Sequence, residues 1–189
     1  MTSLRELIRS RRSTFDFNPG PVPLDDVREL FEAGIWAPNH KLTQPWRFIH
    51  LGEQTRSVLR LRYAELQKQK GPDMSEAAQQ ERYAKGMQKF DSKPTIVAVS
   101  CSQEGSEIQK REDYAATCCA MQNVALAAWD AGVGMQWSTG PMTREAATYE
   151  LLDIDTNREY IIGFFYMGYP CKTSRTRRKS IDEVFRTTE

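Results

Sequence analysis

The fold is decided by one alanine-rich stretch, REDYAATCCAMQNVALAAWD, which occupies residues 111–130. It is apolar on almost every side of a helical projection, a profile typical of a helix that is packed on all faces. A domain of this size seldom encloses such a helix alone, so we expect the helix to contribute to a subunit interface. Glu112 and Asp113 are expected at its N-terminus, where acids are favoured, and Gly132 and Gly134 are expected to end it.

The segments on either side of this helix predict a sheet covered by helices. Four segments are predicted as strands, namely 46–51, 95–101, 135–137 and 160–167. Helical spacing and capping patterns mark five more segments and a last amphipathic turn, namely 4–10, 23–37, 55–69, 75–90, 143–152 and 181–185. Strands separated by helices indicate an α+β fold, and we predict a single domain that spans residues 1–189.

Composition excludes several classes of protein. The 189 residues carry a formal net charge of +1 and are 40% hydrophobic, so the chain as a whole does not indicate nucleic acid as a partner. The longest apolar run, Ile161–Tyr169, is shorter than the ~20 residues that a membrane span requires. Because the N-terminus also lacks the apolar region of a secretory signal, we expect a cytoplasmic protein.

The cysteines and histidines do not predict a metal site. Cys101, Cys118, Cys119 and Cys171 show no CxxC spacing, and the chain has only two histidines. We expect all four cysteines to be buried, reduced packing residues. No constellation of Ser, His and acid supports hydrolase chemistry either.

A basic triplet, Arg11-Arg12-Ser13, follows the first predicted helix. Two guanidiniums and a hydroxyl at this place can make charge-assisted bonds to a phosphate. Arginines at a helix C-terminus also suit the helix dipole, so a structural role is the alternative. A second basic cluster in the tail, residues 172–179, must be solvated or bind an anion.

A tight loop within residues 33–48 brings together an amide, an imidazole, a cation and two tryptophans, Trp36 and Trp46. Such a loop can line a flat aromatic ligand. The alternative is that both tryptophans belong to the core and that Gln44 stabilises a turn.

Four groups of residues, in chain order, resemble the motifs of the nitroreductase family. They are Arg11-Arg12-Ser13, then Ala37-Pro38 with residues 44–48, then Gly132-Val133-Gly134 with Trp137 and Gly140, then Ile162-Gly163-Phe164 with Gly168-Tyr169-Pro170. Together they span nearly the whole chain. The resemblance implies a swapped homodimer with an α/β/α sandwich and a mixed, mainly antiparallel sheet. It also implies FMN bound at the subunit interface and NAD(P)H as the reductant.

The resemblance also assigns cofactor-binding roles residue by residue. Arg11, Arg12 and Ser13 match the phosphate-side motif, and Arg175 or Arg177 matches a second basic contact. Residues of two further segments match the parts that surround the flavin ring. These are Trp36, Asn39 and His40, which reach the flavin of the other subunit, and Gln136, Trp137 and Ser138, which run along its edge.

Two positions depart from the family pattern. Phe15 stands where many members have a Lys or Arg that meets the flavin pyrimidine, and Leu42 stands where many have Asn. Reduced flavin carries negative charge near N1, so another donor is needed, and Lys41 and His40 are the candidates.

The resemblance implies an FMN-dependent oxidoreductase that passes hydride from NAD(P)H to nitroaromatic, quinone or related electron-poor acceptors in a ping-pong reaction. No catalytic side chain is nominated, because the cofactor carries the chemistry. The same motifs permit a specialised redox step on one metabolite, or a flavin-binding protein without turnover. A nucleic-acid-binding role for the basic tail is the alternative from a different class.

Overall fold

The computed structural model describes residues 3–188. In this range the α-helices are α1 (Leu4–Ser10), α2 (Leu24–Ile35), α3 (Glu53–Gln69), α4 (Glu76–Asp91), α5 (Glu107–Asp130) and α6 (Ala146–Leu151). The strands are β1 (Trp46–His50), β2 (Thr95–Ser102), β3 (Gly134–Ser138) and β4 (Glu159–Gly168). Short 3-10 turns occupy His40–Leu42, Pro141–Arg144 and Ile181–Glu183.

The four strands form one sheet in the order β1-β2-β4-β3, with every neighbouring pair antiparallel. The parallel contact is a single bridge between Ser13 and Met135, beside β3. In β4 a bulge shifts the register opposite Val99 and Ser100, and Ile162 is the extra residue. The bulge changes which face of the sheet the following side chains occupy.

Helices cover both faces of the sheet, which confirms the predicted α+β sandwich. On one face α2 and α5 pack against strand residues that include Val97, Val99 and Phe165. The other face is covered by residues of α3, α4 and the region around α6, which pack on Ile96 and Phe164. Alternating strand side chains supply the two cores.

The segment after α1 runs along the β3–β4 edge and fixes where the basic triplet lies. Thr14 N–H donates to Met135 O at 2.9 Å, and Phe17 bridges to Pro170. Between these two contacts, the buried Lys93 donates from Nζ to the Phe15 carbonyl at 2.9 Å. The segment is therefore tied to the sheet along its length.

Helix α5 begins earlier than the sequence indicated, at Glu107 instead of near residue 111. Ser106 caps it by accepting a hydrogen bond from the N–H of Gln109 at 3.2 Å. The expectation that Glu112 and Asp113 serve the helix N-terminus is therefore wrong, because both lie in the second turn.

Two smaller expectations are also corrected. The helix predicted over 143–152 is broken at Glu145, whose φ of −87° and ψ of 123° are extended. The cysteines are all free, but only Cys101 is buried; Cys118 is half-buried, and Cys119 and Cys171 are exposed. Cys119 is exposed because it faces away from the sheet on α5.

Within residues 3–188, no helix has the length and apolar character needed to cross a membrane. The same residues contain no group of three or more His, Cys, Asp or Glu side chains that could hold a metal ion.

Candidate functional site

A cavity of about 130 Å³, the Arg11 cavity, opens between α1, α5 and β3. Its lining consists of Arg11, Ser13, Cys118, Met121, Gln122, Ala125, Met135, Trp137 and Phe165. Helix α1 is held here because Trp129 Nε1 on α5 donates to Ser10 Oγ at 3.0 Å. The fold thus brings together three of the residues predicted to bind a cofactor, Arg11, Ser13 and Trp137.

The Arg11 guanidinium is half-buried in this cavity and lies close to other cations. Burial, together with the charges of Arg178 and Arg12, lowers the pKa of Arg11 below its usual value. Arg178 comes from the tail, and none of these three arginines forms an ion pair within residues 3–188. Three crowded positive charges without a carboxylate make a place where an anion is stabilised.

The two neighbours of Arg11 are held in different ways. Arg12 turns back on α1, donating from Nη1 to the carbonyls of Arg9 at 2.6 Å and Arg11 at 2.8 Å. It therefore caps carbonyls at the end of the helix, which is the structural role that the sequence left open. Ser13 is exposed and is held by its bridge to Met135.

Trp137 forms a wall of the cavity and is 41% exposed. Its indole crosses β4 above Gly163 and donates from Nε1 to the Ile162 carbonyl at 3.3 Å. A Cβ on residue 163 would collide with the indole ring, so a glycine is required at this close approach. Gly163 thereby sets the orientation of Trp137.

Gln136 and Ser138 lie beside Trp137 on β3 but on the opposite face of the sheet, because strand side chains alternate. They pair across the sheet with Tyr166 and Phe164 respectively. Burial raises the pKa of Tyr166 to about 12. Of these three residues, only Trp137 lines the Arg11 cavity.

The loop at residues 39–44 has an unusual backbone. Lys41, Leu42 and Gln44 have φ values of 54°, 54° and 46°, in the left-handed region that non-glycine residues rarely adopt. Asn39 supports the loop by accepting from Gln44 N–H at 2.9 Å and donating to the Ala37 carbonyl at 3.1 Å. Strain of this kind concentrates at binding sites.

Two side-chain contacts tie this loop to the second turn of α5. His40 Nδ1 lies 2.9 Å from Glu112 Oε2 at the surface. Thr43 Oγ1 donates at 2.6 Å to Asp113, which is only 2% exposed. The sequence did not single out Thr43, since a threonine in a loop carries no pattern that predicts a partner seventy residues away.

Large apolar side chains next to the loop point into solvent. Trp36, at the end of α2, is 78% exposed, and Leu42 is 76% exposed. Trp46, by contrast, is 5% exposed and belongs to the core, as one interpretation of the sequence had it. Trp36 and Leu42 thus leave two large apolar side chains exposed at and beside this loop.

The loop and the Arg11 cavity lie on different sides of α5. Since successive helical residues are about 100° apart, Glu112, which holds the loop, lies about 120° around the helix from Cys118, which lines the cavity. Trp36, Asn39 and His40 therefore do not join Arg11, Ser13 and Trp137 within one chain. In the tail, Arg175 and Arg177 are exposed, and Arg178 is the arginine whose charge reaches Arg11.

Comparison with known proteins agrees with this architecture. The model of the nitroreductase family matches residues 8–169, from α1 to the end of β4. The chain belongs to the nitroreductase family. The resemblance found in the sequence is thereby confirmed.

Curated relatives of this chain point the same way. YfhC of Bacillus subtilis (strain 168), provisionally named as an NAD(P)H nitroreductase, is 30% identical over 94% of this chain and 89% of its own. YdjA of Escherichia coli (strain K12), which carries the same provisional name, is 26% identical over 90% of this chain and 89% of its own.

Solved structures share the nitroreductase fold. A nitroreductase-like family protein from Bacillus cereus superposes with a TM-score of 0.83 and 31% identity, covering 100% of this chain and 97% of its own. A protein from Desulfovibrio desulfuricans that was solved in complex with FMN has a TM-score of 0.76 and 22% identity, covering 100% and 98%. The second likeness concerns the fold alone.

Proposed function

We propose that residues 1–189 form one FMN-binding domain of a cytoplasmic, homodimeric NAD(P)H oxidoreductase. Bound FMN would supply two-electron chemistry, accepting hydride from NAD(P)H and passing it to a nitroaromatic, quinone or related electron-poor acceptor in ping-pong order. The solved relative in complex with FMN and the NAD(P)H nitroreductase names of the curated relatives support this assignment. The residues of this chain position the cofactor and surround the reacting atoms.

The observation that carries the proposal is the Arg11 cavity, whose lining includes the Arg11 guanidinium and Ser13 and no carboxylate. The positive charges of Arg178 and Arg12 act on the same guanidinium. The residues present fit the phosphate of FMN, because a doubly charged anion offsets the mutual repulsion of the guanidiniums. Ser13, exposed beside Arg11, can add a hydroxyl donor. Arg175 and Arg177, close in sequence to Arg178, remain further candidates for this contact.

The flavin ring would extend from the phosphate along β3. Trp137, fixed by Gly163 and by its bond to the Ile162 carbonyl, offers an apolar wall, and the backbone of Gln136 and Ser138 runs alongside. Main-chain N–H groups in this position can donate to the ring without moving.

The second half of the site would come from another subunit. Six residues of α5, spaced alternately four and three apart, form the α5 stripe, which faces away from the sheet core: Ile108, Glu112, Ala115, Cys119, Gln122 and Leu126. This spacing is typical of helices that pack side by side along a seam. Ile108 at its start is 71% exposed.

An antiparallel two-fold pairing of α5 about the middle of the stripe, near residue 117, sets position 112 of one chain against position 122 of the other. Gln122 lines the Arg11 cavity. Because His40 is held by Glu112, this pairing brings the partner subunit's His40 and Asn39 to that cavity. We expect the partner subunit to cover Trp36 and Leu42 as well, which are exposed in the single chain.

In the same dimer, a residue of the partner subunit can supply the positive charge that Phe15 does not provide at position 15. Phe15 is 52% exposed, and its carbonyl is occupied by Lys93. The partner subunit's Lys41, displayed by a left-handed backbone, and the partner subunit's His40 are then the nearest candidates to hold the negative charge of reduced flavin.

The test is the visible spectrum of the purified protein, recorded without oxygen before and after addition of NADH or NADPH. We expect a flavin spectrum that bleaches on addition of one of them, and a dimeric mass by light scattering. Colourless protein that takes up no FMN would overturn the assignment. If FMN is bound but neither nucleotide reduces it, the protein binds flavin without NAD(P)H oxidoreductase activity.

A further inference from the structure

A second cavity, of about 360 Å³, lies at the first half of α5. We call it the Tyr114 cavity; it is lined by Gln103, Glu107, Lys110, Arg111, Tyr114 and Tyr160. None of these residues belongs to the four family motifs, and the proposed cofactor contacts leave them without a role.

The wall of this cavity is aromatic. The rings of Tyr114 and Tyr160 are stacked, with centroids 6.4 Å apart and an angle of 19° between planes. Tyr114 is 43% exposed, so a face of this pair is open to a ligand. The pKa of each tyrosine is raised, that of Tyr114 chiefly by the neighbouring Cys118 and that of Tyr160 chiefly by burial, so both hydroxyls remain neutral donors.

The rim of the cavity is positively charged. Lys110 is neutralised by Glu107, with Nζ and Oε1 2.7 Å apart. Arg111 forms no ion pair within residues 3–188 and is exposed. The lining therefore carries one uncompensated guanidinium beside two stacked rings, a combination that suits a planar ligand with a carboxylate.

The Tyr114 cavity adjoins the Arg11 cavity along the same side of α5. Tyr114 lies one helical turn before Cys118, which lines the Arg11 cavity. Cys118 is also close enough to both tyrosines to affect their pKa values. The two cavities therefore lie one helical turn apart along α5.

We propose that the Tyr114 cavity is the acceptor subsite, where Tyr114 and Tyr160 stack on an aromatic acceptor and Arg111 binds a carboxylate on it. This inference rests on the proposed function. It assigns the substrate class as aromatic acceptors that carry an anionic group, in preference to neutral ones.

Binding is tested first with ligands that cannot be reduced. Benzoate and benzyl alcohol are titrated calorimetrically into the flavin-loaded protein, its Arg111→Gln and Arg111→Lys variants, and Arg158→Gln. Arg158 is the matched control, because it is an exposed arginine outside the cavity that pairs with Glu104 at 3.1 Å. We expect Arg111→Gln to weaken benzoate about tenfold, Arg111→Lys to weaken it less, and neither to affect benzyl alcohol.

Turnover is then compared for 4-nitrobenzoate and 4-nitrobenzyl alcohol, which differ in charge but share the reacting group. We expect Arg111→Gln to lower kcat/KM for the acid alone, through KM, and Tyr114→Ala to lower it for both. Equal preference for the two compounds in the wild-type protein, or an equal loss for both in Arg111→Gln, would overturn the subsite.

The two proposals fail in distinguishable ways. Failure of the proposed function would be seen as absent FMN or as bound FMN that NAD(P)H does not reduce. Neither result depends on how the Arg111 variants bind benzoate. The wild-type protein could instead be reduced by NAD(P)H and yet bind benzoate no more tightly than the Arg111→Gln variant does. That result would support the proposed function and contradict only the acceptor subsite.

Discussion

The Arg11 cavity and the loop at residues 39–44 differ in what holds them in place. The cavity is formed by the sheet and helices of one chain. Ser13 is held by its bridge to Met135, and Trp137 packs over Gly163. The loop holds a left-handed backbone at three non-glycine residues and depends on two side-chain contacts to α5.

We infer from this difference that the two regions contribute to the site in different ways. In the proposed site, one half is formed by the folding of a single chain and would offer positive charge to a phosphate. The other half keeps a strained backbone, at about 1–2 kcal/mol per left-handed residue, and displays apolar side chains to solvent. A second subunit that packs on α5 would offset this cost by burying those side chains.

The largest effect is expected from breaking the α5 stripe. Ala115→Glu introduces two like charges across the proposed seam, which should raise the dissociation constant of the dimer by more than ~100-fold. Flavin retention should fall with it, because the partner's loop is lost. Sedimentation equilibrium and the ratio of flavin to protein absorbance measure both.

The matched control is Ala84→Glu, at an exposed helical position on α4 away from the stripe. It should leave mass and flavin unchanged. A monomeric Ala115→Glu that kept its FMN would show that one chain builds the whole site without the loop of a partner.

A smaller effect is expected from Arg11→Ala, which acts on the preformed half alone. Loss of a charge-assisted contact of about 1.5–3 kcal/mol corresponds to a roughly 10- to 150-fold weaker binding of FMN, measured by flavin fluorescence titration. Arg12→Ala should weaken FMN less and lower the Tm more, since Arg12 caps α1. Arg5→Ala, exposed on the same helix, is the control, and equal effects at positions 5 and 11 would contradict the phosphate assignment.

The sequence predicted the elements of this fold well, because local signals determine them. The helix predicted over 4–10 is present and begins with a capping box of Ser3 and Glu6, and the strand predicted over 95–101 is present as β2. The early start of α5 was missed, although Ser106 followed by Gln109 is a capping pattern that could have located it.

The candidate site was less predictable, because its contacts join distant parts of the chain. Motif resemblance named Arg11 and His40 but could not place them on different sides of α5. Nothing local in the sequence pairs Thr43 with Asp113, or assigns Gly163 to the indole of Trp137. Such pairings arise from the packing of helices on the sheet, which periodicity does not encode.

A third effect concerns the buried tether of the loop, which is the hydrogen bond from Thr43 to Asp113. Thr43→Val removes the donor to Asp113 and leaves a buried carboxylate without that partner, at a cost of about 1–3 kcal/mol in the free energy of unfolding by urea. Thr43→Ser keeps the hydroxyl and should lose much less. If the loop completes the partner's site, the rate of anaerobic flavin reduction should also fall in Thr43→Val, and an unchanged rate would separate the loop from the chemistry.

The smallest effect is expected at the exposed tether, the contact between His40 and Glu112. In the monomeric Ala115→Glu background the two side chains keep their exposures of 56% and 42%, so solvent screens their interaction. There, Glu112→Gln should change the free energy of unfolding by less than about 0.5 kcal/mol. The loss in Thr43→Val should persist at high salt, because Asp113 is buried. Urea unfolding at low and high salt compares the two tethers directly. A larger loss from Glu112→Gln in the dimeric protein than in this monomeric background would show that a second subunit covers the contact. Equally small losses in both would contradict the pairing along the α5 stripe.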